Sequence, residues 1–222
     1  MSQVLKSLDT TLRTANSACY TIAALSYRGF WTSHGRPSEH GINLDAAATL
    51  AWAAANYPNS RIILWGQSLG AGVAVRAAAA KLEQEKIGSG LCSKDQVKTP
   101  RIMGLLLETP FTSVRAMLLA LYPQKWLPYR YLSPFLWNHW DSKECLSRIA
   151  KDDAKPKVLI LPAGDDELVP QAHGLELERV CKHGELNVER TVVKGALHHE
   201  VLGKPRGRAA VMDFLQGIAE QD

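Results

Sequence analysis

No apolar run in this chain reaches the roughly 18 residues that a membrane-spanning helix requires. The N-terminus also lacks the continuous apolar core of a secretory signal. The four cysteines, Cys19, Cys92, Cys145 and Cys181, lie far apart with no C-x-x-C pair. That spacing offers neither a zinc cluster nor a disulfide framework, and it fits a reducing compartment. Charge is nearly balanced, with 26 basic against 22 acidic residues and a net charge of +4. Without a basic block, no nucleic-acid partner is expected. The nearest approach to one, Lys204, Arg206 and Arg208 among glycine and proline, reads as a solvated loop. Internal repeats are absent, and so is low complexity beyond alanine clusters. The reading is a cytoplasmic, soluble chain with no cofactor and no metal.

What is present suits one α/β domain: 222 residues, of which 46% are hydrophobic. Helical spacing predicts a short amphipathic helix over Val4–Leu12. An apolar stretch predicts a strand over Tyr20–Tyr27. A helix is expected over Leu44–Asn56, with Asn43 as its N-cap. Further strands are expected at Ile62–Trp65, Ile102–Leu107, Lys157–Leu161 and Val188–Val193. Helices are expected at Ala71–Leu82, Gln171–Cys181 and Arg208–Ala219, with an exposed loop over 83–100. Strands alternating with helices imply a mostly parallel sheet flanked by helices on both faces.

The densest chemical signal is Gly66-Gln67-Ser68-Leu69-Gly70, a G-x-S-x-G pattern between an apolar strand and an alanine-rich helix. A serine at the tip of a strand-to-helix turn sits in strained backbone, and small residues on either side let strand and helix approach. The helix N-terminus then directs free N–H groups at any oxyanion forming beside Ser68. A serine nucleophile needs a histidine to take its proton and a carboxylate to fix that histidine's tautomer. His34 and His40 precede the elbow, and His139, His173 and His183 lie elsewhere in the cap or on helices; all five read as structural. His198 and His199 follow the last strand in a glycine-led loop, and His198 is the favoured base. The acidic turn after the preceding strand offers Asp165, Asp166 and Glu167, of which Asp166 is preferred.

Residues 111–156 interrupt the strand-helix rhythm. Seven of the chain's 16 aromatic residues fall within Tyr122–Trp140, and Pro123, Pro128 and Pro134 forbid a long regular helix there. The segment reads either as a loop packed on its own aromatics or as a cap over the sheet's C-terminal edge, where open α/β sheets bind ligands. As a cap it would suit an apolar acyl chain, with Trp126 and Trp137 as substrate-binding candidates.

Tyr27-Arg28-Gly29-Phe30, the Trp65–Gly70 elbow, Glu108-Thr-Pro-Phe-Thr112, Gly164-Asp-Asp-Glu-Leu-Val-Pro170 and the Leu-His-His-Glu run together resemble the α/β-hydrolase superfamily. Within it, they are most similar to the branch of monoacylglycerol lipases, lysophosphatidylserine lipases and protein depalmitoylases. The resemblance covers about Val4 to Leu215. It implies a serine esterase, lipase or thioesterase acting on acyl or lipid-like substrates, with nucleophile Ser68, acid Asp166 in a D-x-x-V-P pattern, and base His198. Gln67 stands where the family usually has histidine.

The family also places a His-Gly-rich loop after an earlier strand. One N–H of that loop is half of the oxyanion hole, and the N–H of Leu69 would be the other half. Met1 falls inside the helix after that loop, so the resemblance implies an N-terminally incomplete hydrolase domain over 1–222 with a cap at 111–156. The family's membrane anchors, where present, lie upstream, which leaves membrane-surface association open. An aminopeptidase-like amidase on the same triad and a catalytically silent relative are the alternative readings, and oligomeric state is left open.

Overall fold

The computed structural model describes residues 19–89, 100–121 and 137–220. In chain order these form α1 (Glu39–Asn56), β1 (Ile62–Gln67), α2 (Leu69–Ser89), β2 (Ile102–Glu108), α3 (Val114–Leu121) and α4 (Ser142–Ile149). They are followed by β3 (Lys157–Leu161), α5 (Gln171–His183), β4 (Val188–Arg190), a 3-10 turn (Val201–Gly203) and α6 (Pro205–Ala219). The helix expected over Val4–Leu12 lies outside the described residues, as does Trp126.

The four strands are all parallel, in the order β1-β2-β3-β4. A parallel sheet covered on both faces reads as unbroken apolar runs, because successive side chains point to opposite layers. In β2, Leu105 and Leu107 enter the layer built with α2, α4 and α5, while Leu106 enters the layer beneath α6. β3 repeats this, sending Val158 and Ile160 to the first layer and Leu159 and Leu161 to the second. Alanine gives α2 high helix propensity and a thin face, so Ala71, Ala74, Ala78 and Ala79 lie buried against the sheet.

Several boundaries differ from those expected, for identifiable reasons. α1 begins five residues earlier than expected, because Ser38 is its N-cap: the Ser38 hydroxyl accepts the Gly41 N–H at 3.1 Å. The expected cap, Asn43, lies inside the helix, its side-chain oxygen buried and without a hydrogen-bond partner among the described residues. α2 continues through Ser89, so the loop expected from 83 is helical for its first seven residues. The charges read as a loop near 204–208 straddle the start of α6. There Pro205 occupies the first turn, and the Arg208 guanidinium donates to the carbonyls of Leu202 and Gly203.

The largest difference is Tyr20–Tyr27, which forms no strand. Apolar residues extend into a strand only where a neighbouring ladder takes their N–H and C=O groups. Among the described residues β1 is a sheet edge, and 20–27 does not pair with it. Thr21 to Ala24 are exposed instead. The segment is tied elsewhere: the Tyr20 hydroxyl donates to the Leu215 carbonyl, and Arg28 pairs with Asp45 on α1 at 2.6 Å.

Residues 111–156 divide into two parts. Asp141 caps α4 by accepting the Glu144 N–H at 2.9 Å, and Cys145, Leu146 and Ile149 join the main core. Trp140, read from sequence among the cap aromatics, is 4% exposed and packs with Phe111, Ile42 and Val73. Trp137, three residues earlier, is 90% exposed.

Candidate active site

β1 ends in a turn whose geometry follows from its residues. Ser68 has φ 52°, a left-handed conformation costly for any residue with a Cβ. The turn persists because its neighbours fix it. The Ser68 N–H donates to the Glu108 carbonyl at 2.9 Å, and its own carbonyl accepts the Ala71 N–H at 3.0 Å. Gly66 is required by contact: a Cβ there would fall on the Gly70 carbonyl and lie 2.5 Å from the Ala71 nitrogen. Gly70 is different, since a Cβ on it would meet nothing within 4 Å. The reading that both glycines relieve a clash therefore holds for Gly66 alone. Leu69 is the first residue of α2, so its N–H is among the first-turn donors that have no intrahelical acceptor.

The acidic turn after β3 and the loop after β4 are joined by main-chain bonds. Gly164 N–H donates to Val193 O at 2.8 Å, Val193 N–H to Pro162 O at 3.0 Å, and Asp165 N–H to Ala196 O at 3.0 Å. Gly195, at φ 71°, turns the second loop back toward the sheet end. This pairing carries Asp166 to His198, whose Nδ1 lies 2.9 and 3.0 Å from the two carboxylate oxygens. Both side chains are almost fully buried. Asp166 Oδ1 also accepts the N–H groups of Leu168 and Val169, at 2.9 and 2.8 Å, which fixes the carboxylate's orientation.

Of the alternatives, Asp165 serves through its main chain, and His199 is exposed with its ring edge-on to His198 at 4.7 Å. His173 is buried, and its Nδ1 lies 2.9 Å from the Thr112 hydroxyl; burial pushes its pKa down. Among the described residues no hydrogen bond joins the Ser68 hydroxyl to His198. Gln67, the residue before Ser68, instead donates to the His198 carbonyl at 3.4 Å. The elbow and the histidine loop therefore adjoin through Gln67.

Three contributors escaped the sequence reading. Gln67 links elbow to loop, Glu167 accepts the His198 main-chain N–H at 2.9 Å, and Glu108 stands as a buried acid at the end of β2. In the sequence only the run of three acidic residues points to Glu167, as an alternative to Asp166. Glu108 is 4% exposed, and its carboxylate accepts the Trp65 indole N–H. Burial pushes its carboxyl up to about 7, with the indole bond opposing.

An acid raised in this way holds its proton in the native state when the unfolded chain has lost it. Its stabilising contribution is therefore complete below the ordinary value of 4.5 and is lost as pH rises through about 7. Glu108→Gln stays neutral throughout and retains an acceptor for Trp65. Between pH 4.5 and 8, urea unfolding should show the variant gaining about 3 kcal/mol relative to wild type. A difference that does not change with pH would mean that Glu108 ionises like an exposed carboxylate.

The fold has counterparts among solved structures. The Pyrococcus furiosus esterase Pf2001 superposes with a TM-score of 0.58 at 23% identity, over 86% of this chain and 66% of that one. Human protein ABHD12B is 31% identical over 205 residues, 88% of this chain and 52% of its own length. The lysophosphatidylserine lipase ABHD12 of Xenopus tropicalis is 28% identical over 93% of this chain and 52% of its own length. The chain belongs to the α/β-hydrolase superfamily. No family model matches this hydrolase-fold chain, and it spans about half the length of the curated relatives it matches. Among its described residues, no helix is long and apolar enough to cross a membrane.

Proposed function

We propose that this protein is a serine hydrolase cleaving ester or thioester bonds of acyl, lipid-like substrates. The observation that carries the reading is the buried Asp166–His198 pair, whose main chain meets Gln67, the residue before a serine at positive φ. Ser68 Oγ attacks the acyl carbonyl while His198 Nε2 takes its proton. Asp166, acting on Nδ1, keeps Nε2 free of hydrogen and stabilises the imidazolium. The Leu69 N–H, at the positive end of α2, donates to the oxyanion. The imidazolium then returns its proton to the leaving alcohol or thiol, and a water repeats the sequence on the acyl-enzyme.

The lipid-like substrate class is supported by the relatives named as lysophosphatidylserine lipases. The aromatic-rich sequence of residues 111–156, read as a cap with Trp126 and Trp137 against the acyl chain, suits the same class. A fluorophosphonate probe tests the assignment. Digestion and mass spectrometry should find the adduct on Ser68. A folded chain that carries no adduct, or carries it on another serine, would sink the reading.

A further inference from the structure

We propose that Glu167 is a positioning residue for His198: its carboxylate holds the main-chain N–H of the residue whose imidazole Asp166 orients. The inference rests on His198 being the base. His198 is held by three side chains at three different groups. Asp166 takes Nδ1 at 2.9 Å, Glu167 takes the main-chain N–H at 2.9 Å, and Gln67 donates to the main-chain carbonyl at 3.4 Å. Asp166 and Glu167 are consecutive, so one turn grips both the ring and the backbone of the histidine.

The loop needs such a hold. Ala196 and Val201 anchor its two ends in the core. It turns through Gly195 at φ 71°, however, and Leu197, the residue before His198, is 46% exposed, so apolar packing does not fix the backbone at 197–199. The Leu197 N–H donates to the Glu200 side chain at 3.3 Å, and that carboxylate is itself shared with Lys204. A small rotation of residues 197–199 would move Nε2 away from Ser68 while leaving the fold intact. Catalytic geometry tolerates little displacement of that kind.

The titratable groups that act on Glu167 are His198 and His199 on the opposite loop. The His198 N–H bond, ahead of the nearby imidazoles, holds the Glu167 carboxyl below its usual range, so it stays ionised at neutral pH. Glu167 is exposed, and solvent screens its charge. Its effect on His198 is therefore that of an acceptor fixing a loop, not that of a long-range field.

Glu167→Ala and Glu167→Gln in the full chain separate these roles. The alanine variant should react with the fluorophosphonate about five- to tenfold more slowly, with little change in KM for a short ester. The glutamine variant, whose amide oxygen still accepts the N–H, should stay within about twofold of wild type. Equal losses in both variants, or no loss in alanine, would overturn the proposal.

A second readout does not depend on turnover. In amide proton spectra the His198 resonance should move as Glu167 protonates on acidification, and that movement should vanish in Glu167→Gln. A His198 amide that ignores Glu167 overturns the proposal whatever the activity. An amide that tracks Glu167 in a chain unreactive at Ser68 upholds the contact and counts against the hydrolase reading.

Discussion

Asp166→Asn should lower kcat by about ten-thousandfold, and should be no more active than Asp166→Ala despite being nearly isosteric with the wild type. The reason lies in the turn that holds the carboxylate. Asp166 Oδ1 accepts the N–H groups of Leu168 and Val169 at 2.9 and 2.8 Å. An asparagine would keep its carbonyl oxygen there, since its NH2 group cannot accept those donors. The amide nitrogen would then stand where the second carboxylate oxygen lies 3.0 Å from His198 Nδ1 and donate to it, while the retained oxygen at 2.9 Å is already occupied by two N–H donors. Donating into Nδ1 moves the ring proton to Nε2, and an Nε2 carrying a proton cannot take one from Ser68. Alanine removes the orienter but leaves the tautomer free. Steady-state hydrolysis of a short ester by the two variants, each checked for a native thermal midpoint, decides the matter. An asparagine variant clearly more active than the alanine one would mean that Asp166 acts through burial or charge, not through the tautomer.

How far the sequence announced this site can be seen residue by residue. The elbow is legible because its strained serine turn demands a residue without a Cβ at Gly66, and a local demand of that kind appears in local sequence. Asp166 and His198 were legible by position: each follows a strand of a parallel sheet, and such a sheet brings its carboxyl ends together. The continuous apolar runs in β2 and β3 gave the layers for the same reason.

Contacts set by tertiary placement were not legible. Gln67 meets the His198 carbonyl across 131 residues of chain, and Trp65 meets Glu108 across 43. No periodicity encodes such pairs. Tyr20–Tyr27 shows the converse. Its composition is that of a strand, but a strand also needs a neighbour's ladder, which composition does not supply. Ser38 was missed as the cap of α1 because Asn43 stood nearer the alanine run that marked the helix. Propensity located the body of the helix and left its first turn to the hydroxyl that could reach Gly41.

The two elbow glycines should part company when each is replaced by alanine. Gly66→Ala should cost at least about 3 kcal/mol of stability and remove probe reactivity at Ser68. Its Cβ would fall on the Gly70 carbonyl and within 2.5 Å of the Ala71 nitrogen. Those are backbone atoms at the start of a buried helix, and no rotamer change can clear them. Relief would require α2 to move off β1, breaking the Ala71 N–H bond to the Ser68 carbonyl and opening the layer around Ala71 and Ala74.

Gly70→Ala meets open space and lies in helical backbone, where alanine is favoured over glycine by about 1 kcal/mol. It should therefore leave the urea midpoint unchanged or raise it, with Ser68 still reactive. The pair separates two origins for the G-x-S-x-G pattern that sequence alone cannot distinguish. If both variants unfold alike, both positions are close-packed within the turn. If Gly70→Ala keeps its stability but loses reactivity, the second glycine serves the space where substrate approaches Ser68, and the turn itself needs only the first.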